Sequence, residues 1–152
     1  MELADFKKSL KDKTALMGID FGSKRIGIAV SDLTRTIANA YTIIEHKNKK
    51  ADVEKIKKII EEKEIGGIVF GLPLQMNGQE GETAKNMRAF ADFVFEQTKL
   101  PYTFWDERLS SVVMENFLIR EADMPRAKRK KFLDASAAAY ILQGFLDTLK
   151  KA

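Results

Sequence analysis

Apolar residues in the first third of the chain occur in short runs separated by turn residues, a pattern typical of β-strands. The first run covers residues 15–21 and carries Asp20 close to its end, just before the turn residue Gly22. A second run follows at residues 25–32 and a third at about 37–44. Short turns between consecutive strands favour antiparallel pairing. The pattern therefore predicts a three-stranded antiparallel meander.

The rest of the chain alternates between helical and extended patterns. Apolar residues at helical spacing predict helices over about 51–63, 82–97, 110–120 and 132–149. Short apolar runs predict two further strands, at 68–70 and 102–106. Leu3, Phe6 and Leu10 share a helical face, which predicts an additional short helix within residues 1–13.

The order of these elements indicates the fold class. Two helical crossovers after the meander imply parallel strands added to an antiparallel start. The chain has 152 residues, without a repeat or a linker-like tract, and this length is typical of one domain. We therefore predict a single α/β domain over residues 1–152, with a mixed five-stranded sheet flanked by helices.

Composition restricts the available chemistry. The chain has no cysteine, which excludes disulfides, thiol nucleophiles and thiolate zinc sites, and His46 is its only histidine. Catalysis would have to use carboxylates, hydroxyls, Lys, Arg and bound metal ions. The net charge of +4 favours polyanionic partners only weakly.

The chain also lacks the signals of membrane insertion or export. No apolar stretch approaches the ~18 residues of a membrane span, and the charged amino terminus lacks the apolar core of a signal peptide. These features predict a cytoplasmic protein with no membrane partner.

Acidic residues stand where α/β sheets present their ligands. Asp20 closes the first strand, and Asp106 and Glu107 close the fifth. The alternative is that these side chains cap backbone N–H groups in turns.

Asp134 falls on the face of the last helix that carries Ala138, Ile141 and Phe145. A carboxylate on a buried face is costly without a cation or hydrogen-bond donors. It is therefore either directed at the sheet or stabilised by the amino terminus of its own helix.

Convergence of Asp20, Glu107 and Asp134 would call for a cation, because three like charges repel one another. Ligand sets made only of oxygen atoms select hard ions such as Mg²⁺ or Mn²⁺. A pair of such ions supports phosphodiester cleavage by an activated water. The acidic positions thus indicate metal-assisted phosphoryl chemistry.

Positive charge is concentrated directly before Asp134. We interpret the segment 126–131 as a basic loop that contacts a phosphate backbone, through Arg126, Lys128, Arg129, Lys130 and Lys131. The alternative is a solvated loop. Lys24 and Arg25 follow the first strand and are also placed to meet a phosphate.

Four motifs carry a family resemblance: GIDFGSKRIGIAVSD at 18–32, GLPLQMNG at 71–78, DERLSS at 106–111 and DASAA at 134–138. Together, and in this order, they resemble the YqgF (RuvX) family over about residues 15–149. The resemblance implies a ribonuclease H-like fold related to the resolvase RuvC. It also implies a bacterial cytoplasmic nuclease that matures the 5′ end of pre-16S ribosomal RNA. Resolution of four-way DNA junctions is the older description and rests on analogy of fold.

The resemblance assigns roles position by position. Asp20 would be the central ligand of Mg²⁺ or Mn²⁺, with Glu107 and Asp134 completing the site and Asp106 as the substitute for Glu107. Phosphate contacts are assigned to Arg25 and Arg108. The small residues Ala137 and Ala138 would let the last helix approach the sheet closely.

Two departures from the family pattern affect these expectations. The helix within residues 1–13 is extra to the family, and no function is assigned to it. The last helix offers one aspartate where the RuvC resolvases carry two. We therefore expect weak metal binding until a phosphate bridges the ions.

Three functional hypotheses follow. The first is a metal-dependent endonuclease on structured RNA. The second keeps the site and takes a four-way DNA junction, which favours a dimer because two symmetric nicks need two active sites. The third is a non-catalytic nucleic-acid-binding factor in ribosome assembly or transcription. We expect a monomer or a weak homodimer.

Overall fold

The computed structural model describes residues 3–22, 24–73, 77–106 and 126–151, and for 126–136 and 151 it describes the helical backbone alone. The elements in chain order are α1 (Leu3–Ser9), β1 (Ala15–Phe21), β2 (Arg25–Ser31), β3 (Ala38–Glu45), α2 (Lys49–Glu62), β4 (Ile65–Leu72), α3 (Glu82–Thr98), β5 (Tyr102–Asp106) and α4 (Arg126–Lys151). The helix predicted over 110–120 lies outside the described residues.

The five strands form one sheet in the order β3-β2-β1-β4-β5. The pairs β1–β2 and β2–β3 are antiparallel, whereas β1–β4 and β4–β5 are parallel. The predicted mixed sheet and its antiparallel meander are therefore confirmed. The parallel pairing brings the carboxyl ends of β1, β4 and β5 to one edge of the sheet, which we call the carboxyl edge.

Each face of the sheet buries its own core, because successive strand residues point to opposite faces. On one face, α2 and α3 cover side chains such as Ile19 and Phe70. On the other, α1 and α4 cover Leu16 and Val69. We refer to these as the α2/α3 face and the α4 face. Within the described residues, no helix is long and apolar enough to cross a membrane.

The predicted bounds of β4 were wrong. The strand spans Ile65–Leu72 rather than 68–70, and it includes Gly66 and Gly67. Glycine is a poor strand former, so these two positions carry no apolar signal for a strand. The structure supplies the reason for Gly67, since a Cβ atom at this position would lie 2.6 Å from Leu10 Cδ2.

The interpretation of residues 126–131 as a loop was also wrong. The last helix begins at Arg126, not near residue 132, so the whole basic segment is helical. Arg, Lys, Ala and Leu are all good helix formers, and the segment contains neither Gly nor Pro. Its charges are therefore carried by a regular element that continues into the core.

The short helix α1 is part of the core. Phe6 is completely buried, and its ring meets that of Phe145 edge to face at a centroid distance of 5.5 Å. The helix predicted within residues 1–13 thus exists at Leu3–Ser9 and closes the α4 face beside β4.

Candidate active site at the carboxyl edge of the sheet

Asp20 is half-buried near the end of β1, and glycines flank it on both neighbouring strands. It pairs directly with Gly27 on β2. On β4, the parallel register that pairs Ile19 with Phe70 brings Gly71 next to Asp20. The two neighbouring strands therefore add no side chain beside the carboxylate.

The face on which Asp20 lies is shown by Gly18, two residues earlier. A Cβ atom at Gly18 would lie 2.8 Å from Leu142 Cβ and 2.9 Å from the Ala138 carbonyl oxygen of α4. Since residues i and i+2 of a strand share a face, Asp20 also points to the α4 face. Ala138 is fully buried at this contact, which agrees with the expected close approach of this helix.

Contacts near the middle of α4 define its direction. The Gln143 amide donates to the Thr36 carbonyl oxygen (3.1 Å) and accepts from the Ala38 N–H (2.9 Å), at the start of β3. Ala38 pairs with Ser31, whose hydroxyl accepts from the Leu16 N–H near the start of β1. Gln143 therefore lies towards the amino end of β1. The preceding turns of α4 run towards the carboxyl edge and Asp20.

Asp106 reaches the same edge but lies on the other face. It is half-buried at the end of β5 and pairs with Leu72. Two strand spacings, roughly 10 Å, separate β5 from β1. The preceding residue, Trp105, packs against Phe145 on the α4 face, so Asp106 is turned towards the α2/α3 face, away from Asp20.

Two of the predicted phosphate contacts lie beside β1. Arg25 is exposed at the start of β2, and its carbonyl oxygen accepts from the Gly22 N–H at 2.9 Å. Because Asp20 pairs with Gly27, Arg25 is a diagonal neighbour of Asp20 on the same face, within reach of a long side chain. Lys24 is exposed in the intervening turn.

The remaining predicted site residues are only partly described. Glu107 and Arg108 lie outside the described residues. The others belong to α4, where the backbone is helical but the side chains are not described: Arg126, Lys128, Arg129, Lys130, Lys131 and Asp134. Among the residues that are described, no three metal-ligating side chains come together. Two of the three expected ligands, Glu107 and Asp134, have side chains outside this described set.

Sequence reasoning missed a pair formed by His46 and Asp52. The Nδ1 atom of His46 lies 2.5 Å from Asp52 Oδ2, and Oδ1 of Asp52 accepts from the Lys47 N–H at 3.2 Å. Asp52 is only 1% exposed. In the sequence it reads as an ordinary acidic residue in the first turn of α2, so no motif indicated the pair.

The class of protein follows from the fold: a mixed sheet in this strand order, with an aspartate closing its first strand, is ribonuclease H-like. Two solved structures of this class resemble the chain. RuvC of T. thermophilus in complex with a Holliday junction substrate has a TM-score of 0.59 and 11% identity, covering 91% of this chain and 98% of that one. The yeast mitochondrial Holliday junction resolvase Ydc2 has a TM-score of 0.53 and 12% identity, with 98% and 86% covered. Identities this low show a similarity of fold alone.

The particular family is given by the sequence comparisons. A family model described as "RuvX: Holliday junction resolvase" matches residues 14–148. A protein of Thermoanaerobacter pseudethanolicus named "Putative pre-16S rRNA nuclease" is 45% identical, over 89% of this chain and 97% of its own length. A protein of the same name from Paracoccus denitrificans is 44% identical, with 95% and 91% covered. The chain belongs to the RuvX family, and the resemblance drawn from its four motifs is confirmed.

Proposed function

We propose that this protein is a divalent-metal-dependent endonuclease that hydrolyses phosphodiester bonds in structured RNA, with 5′-end maturation of pre-16S ribosomal RNA as its role. The observation that carries the proposal is the position of Asp20. Its carboxylate stands at the carboxyl edge between Gly27 and Gly71, on the face towards which the amino end of α4 runs. The relatives named as pre-16S rRNA nucleases support the choice of substrate.

The proposed metal ligands are Asp20, Glu107 and Asp134. Asp106 is turned to the face opposite Asp20, which favours Glu107 over Asp106 as the ligand. Asp134 precedes Ala138 by four residues, one helical turn or ~6 Å along α4 in the direction of the carboxyl edge.

An oxygen-only ligand set of this kind fits Mg²⁺ or Mn²⁺. When bound, such ions supply activation of a water and neutralisation of the leaving oxygen. The position of Asp20 fits this group, since the neighbouring strands place only glycines, Gly27 and Gly71, beside its carboxylate.

The chain's own cations would hold the substrate. Arg25, beside Asp20 on the same face, is proposed to contact the phosphate next to the cleaved bond. The helical segment 126–131 and Arg108 are proposed to contact phosphates farther along the strand. Such contacts position the nucleic acid without reading its sequence.

A four-way DNA junction is the second candidate substrate. The description of the family model, Holliday junction resolvase, favours it, and the same carboxylates would serve. This alternative requires two copies of the chain, because paired symmetric cuts need two sites related by two-fold symmetry. Non-catalytic binding of nucleic acid is the third outcome that the experiment must separate.

The test compares the unaltered protein with Asp20→Asn and with a matched control, Asp12→Asn, which makes the same change at an exposed aspartate between α1 and β1. Each protein is incubated with end-labelled pre-16S leader RNA and with a labelled four-way DNA junction, in Mg²⁺, Mn²⁺ or EDTA. We expect metal-dependent cutting of the RNA, reduced at least about a hundredfold by Asp20→Asn and unchanged by Asp12→Asn.

Binding in EDTA is measured on the same proteins. Binding by Asp20→Asn without cutting assigns the carboxylate to chemistry. If only the junction is cut, the substrate is four-way DNA and the RNA proposal is wrong. If unaltered protein binds the RNA and no condition produces cutting, the nuclease proposal is wrong and the binding factor stands.

A further inference from the structure

A buried carboxylate fixes the orientation of His46, the only histidine in the chain. Asp52 is 1% exposed, whereas the His46 side chain is 26% exposed. With Nδ1 held 2.5 Å from Asp52 Oδ2, Nε2 is the ring nitrogen left for a ligand. The Asp52 carboxylate also accepts from the Lys47 N–H, so it is fixed from two sides. An accessible ring held in this way is prepared to make a directed contact.

His46 lines a cavity of about 430 Å³ together with Phe21, Asn48, Lys49, Asn86 and Ala89. The ionisable groups in this lining are an imidazole and an ammonium, and the two asparagines add amide donors. Asp52 lies behind His46 and does not line the cavity. Among the described residues this lining has no carboxylate; its amide and ammonium donors, with Nε2–H when both ring nitrogens of His46 carry protons, fit the oxygens of a phosphate group.

The cavity continues into a groove between α2 and α3. A second cavity, of about 620 Å³, shares Asn48 and Lys49 with the first and is also lined by Lys50, Glu54, Phe93 and Gln97, so it contains one carboxylate. The shared residues make the two cavities adjacent, as binding sites for successive groups of an extended strand must be. An isolated small anion would need only the first.

The first cavity also lies next to the proposed active site. Phe21, one of its lining residues, follows Asp20 directly in β1 and packs on the α2/α3 face. The backbone N–H of His46 donates to the Lys24 carbonyl oxygen at 2.9 Å, which holds His46 beside the turn after β1. Since successive phosphates of a stacked strand advance by ~3.4 Å along the helix axis, and by more in an extended strand, a strand crossing the carboxyl edge from Asp20 would reach His46 within a few nucleotides.

We propose that His46, Lys49 and Asn86 bind a phosphodiester group of the nucleic-acid substrate on the side of the sheet opposite Asp20. This inference rests on the proposed nuclease function and specifies the path of its substrate. The strand would pass over the carboxyl edge, with Asp20 on one face and the imidazole on the other.

The single histidine makes the first test direct, because one set of imidazole signals in the NMR spectrum belongs to His46. Unaltered protein in EDTA is titrated with a short single-stranded RNA, with a mononucleotide and with inorganic phosphate. We expect the ring signals to shift with RNA and to saturate together with binding measured by fluorescence anisotropy. Ring signals that stay fixed while RNA binds would overturn the proposal. Equal shifts with phosphate at the same concentration would show a site for a free anion, not for a strand.

The second test introduces a negative charge into the cavity. Asn86 is exposed on α3, so Asn86→Asp leaves the core intact, and Asn39→Asp makes the same change at an exposed position on β3 outside both cavities. We expect Asn86→Asp to weaken RNA binding about tenfold and Asn39→Asp to leave it nearly unchanged. Equal affinities for the two variants would contradict the proposal.

Salt dependence provides a third measurement. Lys49→Ala should lower the slope of log K against log salt concentration by about 0.7, the value for one phosphate contact on a single strand. An unchanged slope would count against Lys49 as a ligand.

These tests separate the present inference from the function on which it rests. If RNA binds and is cut, but the His46 ring signals do not shift and Asn86→Asp does not weaken binding, the proposed path of the strand is wrong and the nuclease function is retained. If RNA binds at His46 and is never cut, the phosphate-binding site is supported and the nuclease function is wrong.

Discussion

The Ala138 carbonyl oxygen of α4 lies 2.9 Å from the position that a Cβ atom on Gly18 would occupy in β1. Leu142 Cβ would stand equally near, at 2.8 Å. Both neighbours lie on or next to the helix backbone, so neither can rotate away as the tip of a long side chain can. Glycine at position 18 therefore sets the separation of α4 from the strand that carries Asp20.

Gly18→Ala should destabilise the protein by about 1–3 kcal/mol, because a methyl group must be inserted into a filled contact. It should also push α4 away from β1 and reduce nuclease activity in samples that remain fully folded. Urea unfolding and cleavage assays on the same preparation measure the two effects.

Gly67→Ala is the control for Gly18→Ala. It crowds Leu10 and Phe6 on the same face of the sheet but at the opposite edge from Asp20. We expect a loss of stability with activity per folded molecule retained. Equal losses of activity in both variants would show that α4 spacing has no special role.

Phe6→Ala should cost about 3–5 kcal/mol in the free energy of unfolding, since a fully buried aromatic side chain is removed from the α4-face core. Lys8→Ala, at an exposed position of the same helix, should change stability by less than about 0.5 kcal/mol. Chemical denaturation distinguishes the two. Similar values would mean that α1 is not part of the cooperative fold.

Asp52→Ala should destabilise the protein by about 1–3 kcal/mol, because His46 and the Lys47 N–H lose their common acceptor. Asp52→Asn keeps an acceptor oxygen and should cost less. The comparison is made by urea unfolding at neutral pH. A larger loss of stability for Asp52→Asn than for Asp52→Ala would contradict this account of the pair.

The turn between β2 and β3 should show a specific acid dependence. The Asp32 carboxylate accepts hydrogen bonds from the Thr34 hydroxyl and from the Ile37 and Thr36 N–H groups. These bonds lower the pKa of Asp32 from 3.8 to about 2. The stabilisation from the ionised side chain is therefore complete above about pH 4 and is lost as the pH falls through about 2.

A carboxyl-carbon NMR titration checks this directly, with an expected midpoint for Asp32 near 2. Asp32→Asn should narrow the stability difference between neutral and acid pH. A midpoint close to 3.8 would show that the three hydrogen bonds do not form in solution.

Much of the fold could be predicted because local and tertiary preferences agree. The strands β1, β2 and β5 follow their apolar runs, and Asp20 and Asp106 stand at strand ends as expected. The first residues of β4 could not be predicted, since Gly66 and Gly67 carry no apolar signal and their reason is the packing of α1 and the segment after it. The pairing of His46 with Asp52 depends on the turn from β3 into α2, which no periodic pattern encodes.

The continuous helix α4 has a geometric consequence for the basic segment. From Ala138 back to Arg126 the helix extends ~18 Å, whereas β1 continues only ~10 Å from Gly18 to its end at Phe21. The first turns of α4 form an arm that precedes the core-packed turns of the same helix, so the rotational phase of this arm is set by the residues packed in the core. Insertion of one alanine between Lys131 and Asp134 would turn the arm by ~100° and advance it by ~1.5 Å. A flexible loop could accommodate such an insertion without moving its charges. In a continuous helix the basic side chains would rotate, and the direction in which a bound strand leaves the protein would change.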